Sequence, residues 1–208
     1  MSDAQDHPQI YLITPSECDL STFPAQLAAC LDSTEVGCVR LALGTTDEAR
    51  IAKAADALRE VTHARDVALV IDSHLQLVER LGLDGVHLTD GARSIRQVRK
   101  DLGDDAIVGC YCTNSRHDGM TAGELGADYV SFGPVGETAL GDGRKAELEL
   151  FEWWSMMIEV PVVAEGALNA DLIRMLAPHT DFFGIGDEIW ATDKPATALG
   201  DLRRAMLG

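Results

Sequence analysis

Gly126-Ala127-Asp128-Tyr129-Val130-Ser131-Phe132-Gly133-Pro134-Val135 decides the fold of this chain. Gly126 can supply the positive φ of a helix C-cap, and Tyr129, Val130 and Phe132 favour a strand. Pro134 cannot donate to a ladder, so the strand stops at the Gly-Pro corner and a loop begins. The unit recurs upstream. Leu81-Gly82-Leu83-Asp84-Gly85-Val86-His87-Leu88 aligns with Leu125-Gly126-Ala127-Asp128-Tyr129-Val130-Ser131-Phe132, and Leu102-Gly103-Asp104-Asp105 opens another strand in the same way. Each joint is a helix closed by Gly, an Asp in the turn, and then a strand.

Working outward, strands are expected at Ile10–Thr14, Cys38–Leu43, Val67–Ile71, Gly85–Leu88, Ala106–Cys112, Tyr129–Phe132, Pro161–Leu168 and Phe182–Ile189. Helical patterns lie between them. Thr45 with Glu48 reads as a capping box ahead of the stripe Ala52, Ala55, Leu58 and Val61. Pro195 suits the first turn of a last helix ending at Leu207. Strands alternating with helices call for a parallel sheet, and about eight units close a TIM (β/α)8 barrel. The competitor is a doubly wound open sheet. That fold usually carries a Gly-rich phosphate turn after its first strand, and Thr14-Pro15-Ser16-Glu17 is not one.

The chain has 208 residues, 46% of them hydrophobic, which suits one domain spanning 1–208 with residues 1–9 as a disordered N-terminus. Its formal net charge is −17. Nucleic acid and anionic membrane need a basic face, so both are excluded as partners; a small-molecule ligand is expected, and a homodimer is compatible with the sequence. Five cysteines occur, Cys18, Cys30, Cys38, Cys110 and Cys112, with no zinc-finger or thioredoxin spacing. They read as buried thiols of a cytoplasmic protein. No apolar run reaches the roughly 20 residues of a membrane span.

A barrel of this kind does its chemistry at the carboxyl ends of its strands. The candidates there are Arg40, Asp72, Ser73, His87, Asp90, Tyr111, Thr113, Thr138, Glu165, Asp187 and Glu188. Asp72 and Asp90 could equally be helix caps, and His87 a bonded core histidine. Glu165 stands out, because it interrupts an otherwise apolar strand and a buried carboxylate needs a partner. Gly166-Ala167 and Gly184-Ile185-Gly186 end the seventh and eighth strands, where barrels often bind phosphate. Glu165 and Asp187 oppose that use unless protonated or bridged by a metal or a Lys.

Leu83–Leu88, Gly126–Val130 with Gly133-Pro134-Val135, and Pro161–Gly166 together resemble the thiamine phosphate synthase family and its sister, the thiazole tautomerase. The similarity runs from about Ile10 to Ile189. It implies a TIM barrel and a synthase that joins an aminopyrimidine pyrophosphate to a thiazole phosphate, with Mg²⁺ helping the pyrophosphate leave. On that resemblance Arg40, Asp72, His87, Thr138 and Glu165 are the catalytic candidates. Gly133, Arg144, Lys145, Gly166, Ala167, Gly184, Gly186 and Asp187 would bind substrate, and Asp72 with Asp90 would hold Mg²⁺. Several family positions differ. Gln-x-Arg-x-Lys of the second strand falls on Arg40, Ala42 and Gly44, and Asn-Asp after the third strand on Asp72-Ser73. The magnesium-binding Asp falls on Ala92, with Asp90 nearby. The fifth-strand Ser falls on Tyr111 and the tautomerase His on Thr113. The loop Lys falls on Gly141, with Arg144 and Lys145 close in sequence. Losing even one comparable charge-stabilising donor costs about 10²–10³ in rate, so synthase turnover is expected to be weak or absent. Two other functions stay open: an acid–base isomerase or lyase using Glu165 and His87, and a non-catalytic relative that binds partners through Trp153, Trp154 and Trp190.

Overall fold

A computed structural model of the chain describes residues 7–138 and 144–208. Eight parallel strands close into a barrel in sequence order: β1 (Gln9–Ile13), β2 (Val36–Leu41), β3 (Ala68–Asp72), β4 (Gly85–Leu88), β5 (Ile107–Tyr111), β6 (Tyr129–Phe132), β7 (Val162–Glu165) and β8 (Phe182–Ile185). The helices are α1 (Phe23–Ser33), α2 (Glu48–His63), α3 (Leu75–Leu81), α4 (Ile95–Leu102), α5 (Arg116–Glu124), α6 (Leu148–Met157), α7 (Ala170–Leu176), α8 (Asp187–Trp190) and α9 (Pro195–Leu207). This is the TIM barrel that the repeat predicts.

The repeat has a mechanical cause. Asp84 donates its backbone N–H to Leu69 O, and its carboxylate accepts the N–H of the same Leu69, at 3.0 and 2.7 Å. Asp128 does the same to Val108, at 2.8 and 2.7 Å. Asp181 does it to Val162, at 3.1 and 2.8 Å. Each Asp thus clamps the amino end of the preceding strand and fixes its register to the next. Asp104 and Asp105, which look like a third copy in sequence, are exposed and make no such clamp. The third copy is Asp181, hidden in sequence because no Gly precedes it.

Side chains alternate across each strand. Ile10, Leu12, Val39, Leu69, Val86, Val130 and Ile185 face outward and pack under the helices. Facing inward, Tyr11, Cys38, Val70, Tyr129 and Val163 form one buried layer. Gly109 lies beside them, since a Cβ there would fall 1.9 Å from Tyr129 Cζ. Two residues further along, the same inward faces carry Arg40, Asp72, His87, Tyr111, Ser131 and Glu165. The register sets these side by side, with Asp72 beside His87 and Tyr111 beside Ser131.

Several local expectations shift. Gln9 pairs with Phe182 and Pro8 is buried, so order begins before residue 10; residues 1–6 lie outside the described residues. The cap of α2 is Asp47, whose carboxylate accepts from Ala49 and Arg50, so Thr45 and Glu48 do not form the box. The last strand ends at Ile185, and Asp187–Trp190 form a helical turn. The tryptophans are not an exposed patch. Trp154 is buried with Nε1–H donating to Val160 O, Trp190 donates to Ile13 O and stacks edge-on against Phe23, and Trp153 lies under Arg116.

Candidate active site

Arg40 is the hub of the barrel mouth. Its Nη1 lies 3.0 Å from Glu165 Oε2 and 3.0 Å from His87 Nε2, and its Nε lies 3.4 Å from Asp72 Oδ1. The Asp72 contact is an ion pair off the line of a hydrogen bond, which leaves Arg40 Nε and Asp72 Oδ1 buried without one. Glu165 is only 7% exposed, and its other oxygen accepts from Ser131 Oγ at 2.8 Å. The sequence argument that a carboxylate in this strand must be partnered therefore holds, with Arg40 and Ser131 as the partners. Burial alone would lower the pKa of Arg40, but the charges of Glu165 and Asp72 outweigh it and hold the guanidinium firmly protonated. Burial pushes Asp72 up to about 6, against the opposing pull of Arg40 and with a further rise from Glu165.

Hydrogen-bond chemistry fixes the state of His87. A guanidinium only donates, so His87 Nε2 accepts from Arg40. Nδ1 then carries the proton and donates to Tyr129 Oη at 2.9 Å, and Tyr129 Oη shares a hydrogen bond of 2.5 Å with Tyr11 Oη. Burial, reinforced by Arg40, holds His87 well below the ordinary histidine range, so the ring is neutral. Burial raises Tyr11 and Tyr129 well above the ordinary tyrosine value. Both nitrogens of His87 are thus committed to positioning Arg40, and the acid–base role draws no support from its geometry. Tyr11, Tyr129 and Ser131 escaped the sequence reading. Two of them sit inside the repeat at inward positions, and that parity was the available signal.

Above this floor opens a cavity of about 700 Å³. Among the predicted residues Arg40, His87, Tyr111, Thr138, Glu165, Gly166, Ala167, Gly184, Gly186, Asp187 and Glu188 line it, joined by Pro134. Gly184 is required here because a Cβ would fall 2.7 Å from that of Glu165. Gly133 is not in the wall. It lies under the site, with a would-be Cβ 2.4 Å from Glu165 O and its own carbonyl accepting from Tyr111 Oη. Arg144 and Lys145 do not line the cavity, and Gly141 falls outside the described residues.

Ser73, Thr113 and Ala167 hold φ of 55°, 52° and 54°, each just beyond a strand end at the mouth. A left-handed non-glycine residue costs about 1–2 kcal/mol, and three of the four such described residues lie at the mouth, the fourth being Asp66 before β3. The loops after β7 and β8 are joined by Glu188, whose Oε1 accepts from Leu168 N at 3.0 Å and whose Oε2 accepts from Gly186 N at 2.8 Å.

The expected Mg²⁺ ligands are not assembled. Asp72 turns its inner oxygen toward Arg40, a poor neighbour for a cation, and Asp90 is exposed and accepts from Ser94 Oγ at 2.6 Å. Among the described residues no group of three or more His, Cys, Asp or Glu side chains is disposed around a metal position.

The sequence model for TMP-TENI, thiamine monophosphate synthase, matches residues 10–185, nearly the whole barrel. The chain belongs to the thiamine monophosphate synthase family. It is 39% identical over 203 residues to the thiamine-phosphate synthase of Rhodospirillum centenum, covering 96% of this chain and 98% of that protein. It is 35% identical to that of Erythrobacter litoralis, covering 94% of each. Thiamine phosphate pyrophosphorylase from Pyrococcus furiosus superposes with a TM-score of 0.83 at 21% identity, over 96% of this chain and 95% of that one. The family resemblance read from the Asp-turn repeats, the Gly-Pro corner and the Glu165 strand is therefore correct. Among the described residues no helix is long and apolar enough to cross a membrane.

Proposed function

We propose that this member of the family binds a small phosphorylated or heterocyclic ligand of the thiamine-synthase type at the barrel mouth, and that its synthase turnover is weak or absent. One observation carries this reading. Among the described residues lining the cavity the single cationic side chain is Arg40, and Glu165, Asp72 and His87 already hold it. Glu165, Asp187 and Glu188 bring carboxylates to the same wall. A departing pyrophosphate needs donors aimed where its charge develops. Here it would meet a guanidinium neutralised from below and carboxylates around it. The cavity volume falls in the roughly 300–1,000 Å³ range of small-molecule sites, so ligand capture is not in question on size.

Incubation with both thiamine precursors and Mg²⁺, followed by assay of thiamine phosphate, tests the catalytic half. Trace or no product is expected; turnover at ordinary enzyme rates would overturn it. Calorimetric titration with the separate aminopyrimidine and thiazole compounds tests the binding half. At least one should bind, and Ala42→Trp, which fills the mouth, should abolish that binding.

A further inference from the structure

We propose that Tyr111 is the ring platform of the mouth and that the site selects a flat aromatic heterocycle, which lies against the Tyr111 ring and is backed on the far side by Ile13 and Ala42. This deepens the reading above and rests on it for the kind of ring alone. Tyr111 closes β5 on the inward parity, beside Ser131 of β6. Its O–H donates to Gly133 O at 2.7 Å, just beyond the end of β6. The side chain is thus rooted on β5 and tied to the chain after β6, so its ring lies along the wall between those two strands. Tyr111 and Pro134, the neighbour of the residue that accepts its hydroxyl, both line the cavity.

The opposite wall completes a slot. In a barrel closed in sequence order, β1 and β2 face β5 and β6 across the axis, and Ile13 and Ala42 line the cavity from that side. A saturated ring would bury the same apolar area there, but only an aromatic one gains the ring-to-ring contact that adds to area burial. No other ring serves. Tyr11 and Tyr129 are 2% and 7% exposed in the layer below, and His87, the other aromatic ring among the described residues lining the cavity, is 1% exposed and bonded at both nitrogens. The family Ser that falls on this position would offer a hydroxyl to the same space, where this chain puts a ring. Tyr111 is thus a specificity residue that holds no reacting atom.

NMR titration with an aminopyrimidine and a thiazole, neither carrying phosphate, tests this. In wild type the ring protons of the bound heterocycle should move upfield and show Overhauser contacts to the Tyr111 ring. Tyr111→Leu keeps an apolar wall and should bind the heterocycle about threefold to tenfold more weakly, without the upfield shift, whereas Tyr111→Phe should keep the shift. Binding by wild type with no such shift or contact, or undiminished binding by Tyr111→Leu, would overturn the proposal. The wild-type contacts need no variant, so they decide the matter if Tyr111→Leu unfolds. Should wild type bind neither heterocycle, the reading above fails, and phenol against cyclohexanol, two neutral rings alike in size, tests the platform by itself. Phenol should bind wild type more tightly, with the same contacts, and lose that advantage in Tyr111→Leu. Phenol held no better than cyclohexanol by wild type would count against Tyr111 as the platform.

Discussion

Arg40 sits among three buried partners, Glu165, Asp72 and His87. Removing a single partner from a buried ion pair leaves the other charge uncompensated and costs about 3–5 kcal/mol. Arg40→Met should therefore lower unfolding free energy by about that amount, because Glu165 and Asp72 lose their counter-ion together. The double variant Arg40→Met/Glu165→Met should recover a large part of the loss, and urea unfolding of the cycle measures it. Asp72 gives a pH signature. Its folded pKa, about 6, lies above its ordinary value of 3.8, so the folded state binds the proton more strongly. The stability it contributes is complete below about pH 3.8 and is lost as pH rises through about 6. Asp72→Asn should thus gain on wild type steadily between pH 4 and pH 6.5 in denaturant melts. A flat difference across that window would show that burial does not perturb the carboxyl.

Between neighbouring elements, the Asp clamps set strand register. Asp128→Ala leaves Val108 N–H without its acceptor and Arg99 without its carboxylate, which should cost about 1–3 kcal/mol for the unpaired donor. Asp104→Ala, at a position that looks equivalent in sequence, should stay within about 0.5 kcal/mol. The pair of melts checks the clamp directly. The same comparison shows what was legible in the sequence. Helix–Gly–Asp–strand joints and apolar runs revealed the barrel, because each strand is buried on both faces and each turn needs its Asp. Arg40, Asp72, His87 and Glu165 were found as strand-end residues. Their mutual pairing was not visible, since the barrel brings Arg40 against residues from three other strands, β3, β4 and β7. Tyr11 and Tyr129 looked like ordinary strand aromatics, and only the inward parity of β1 and β6 makes them the support of His87. The tryptophan patch failed because Trp154 and Trp190 each had a buried carbonyl within reach of the indole N–H.

For the whole molecule, closure of the barrel concentrates acid at the mouth of a chain already carrying −17. The field of the protein disfavours a phosphorylated ligand, so capture of one depends on local donors; among the described residues lining the cavity the single cationic side chain, Arg40, is paired with Glu165, Asp72 and His87. The fold is that of the thiamine monophosphate synthase family, and the proposed weakness of synthase turnover rests on the pairing of Arg40 from within the barrel. Calorimetric titration of the wild-type protein with pyrophosphate and Mg²⁺ measures this most directly. The expected result is no saturable heat, corresponding to a Kd weaker than about 1 mM. Saturable binding near about 1 μM would contradict the account, because it would require a free cationic clamp at the mouth.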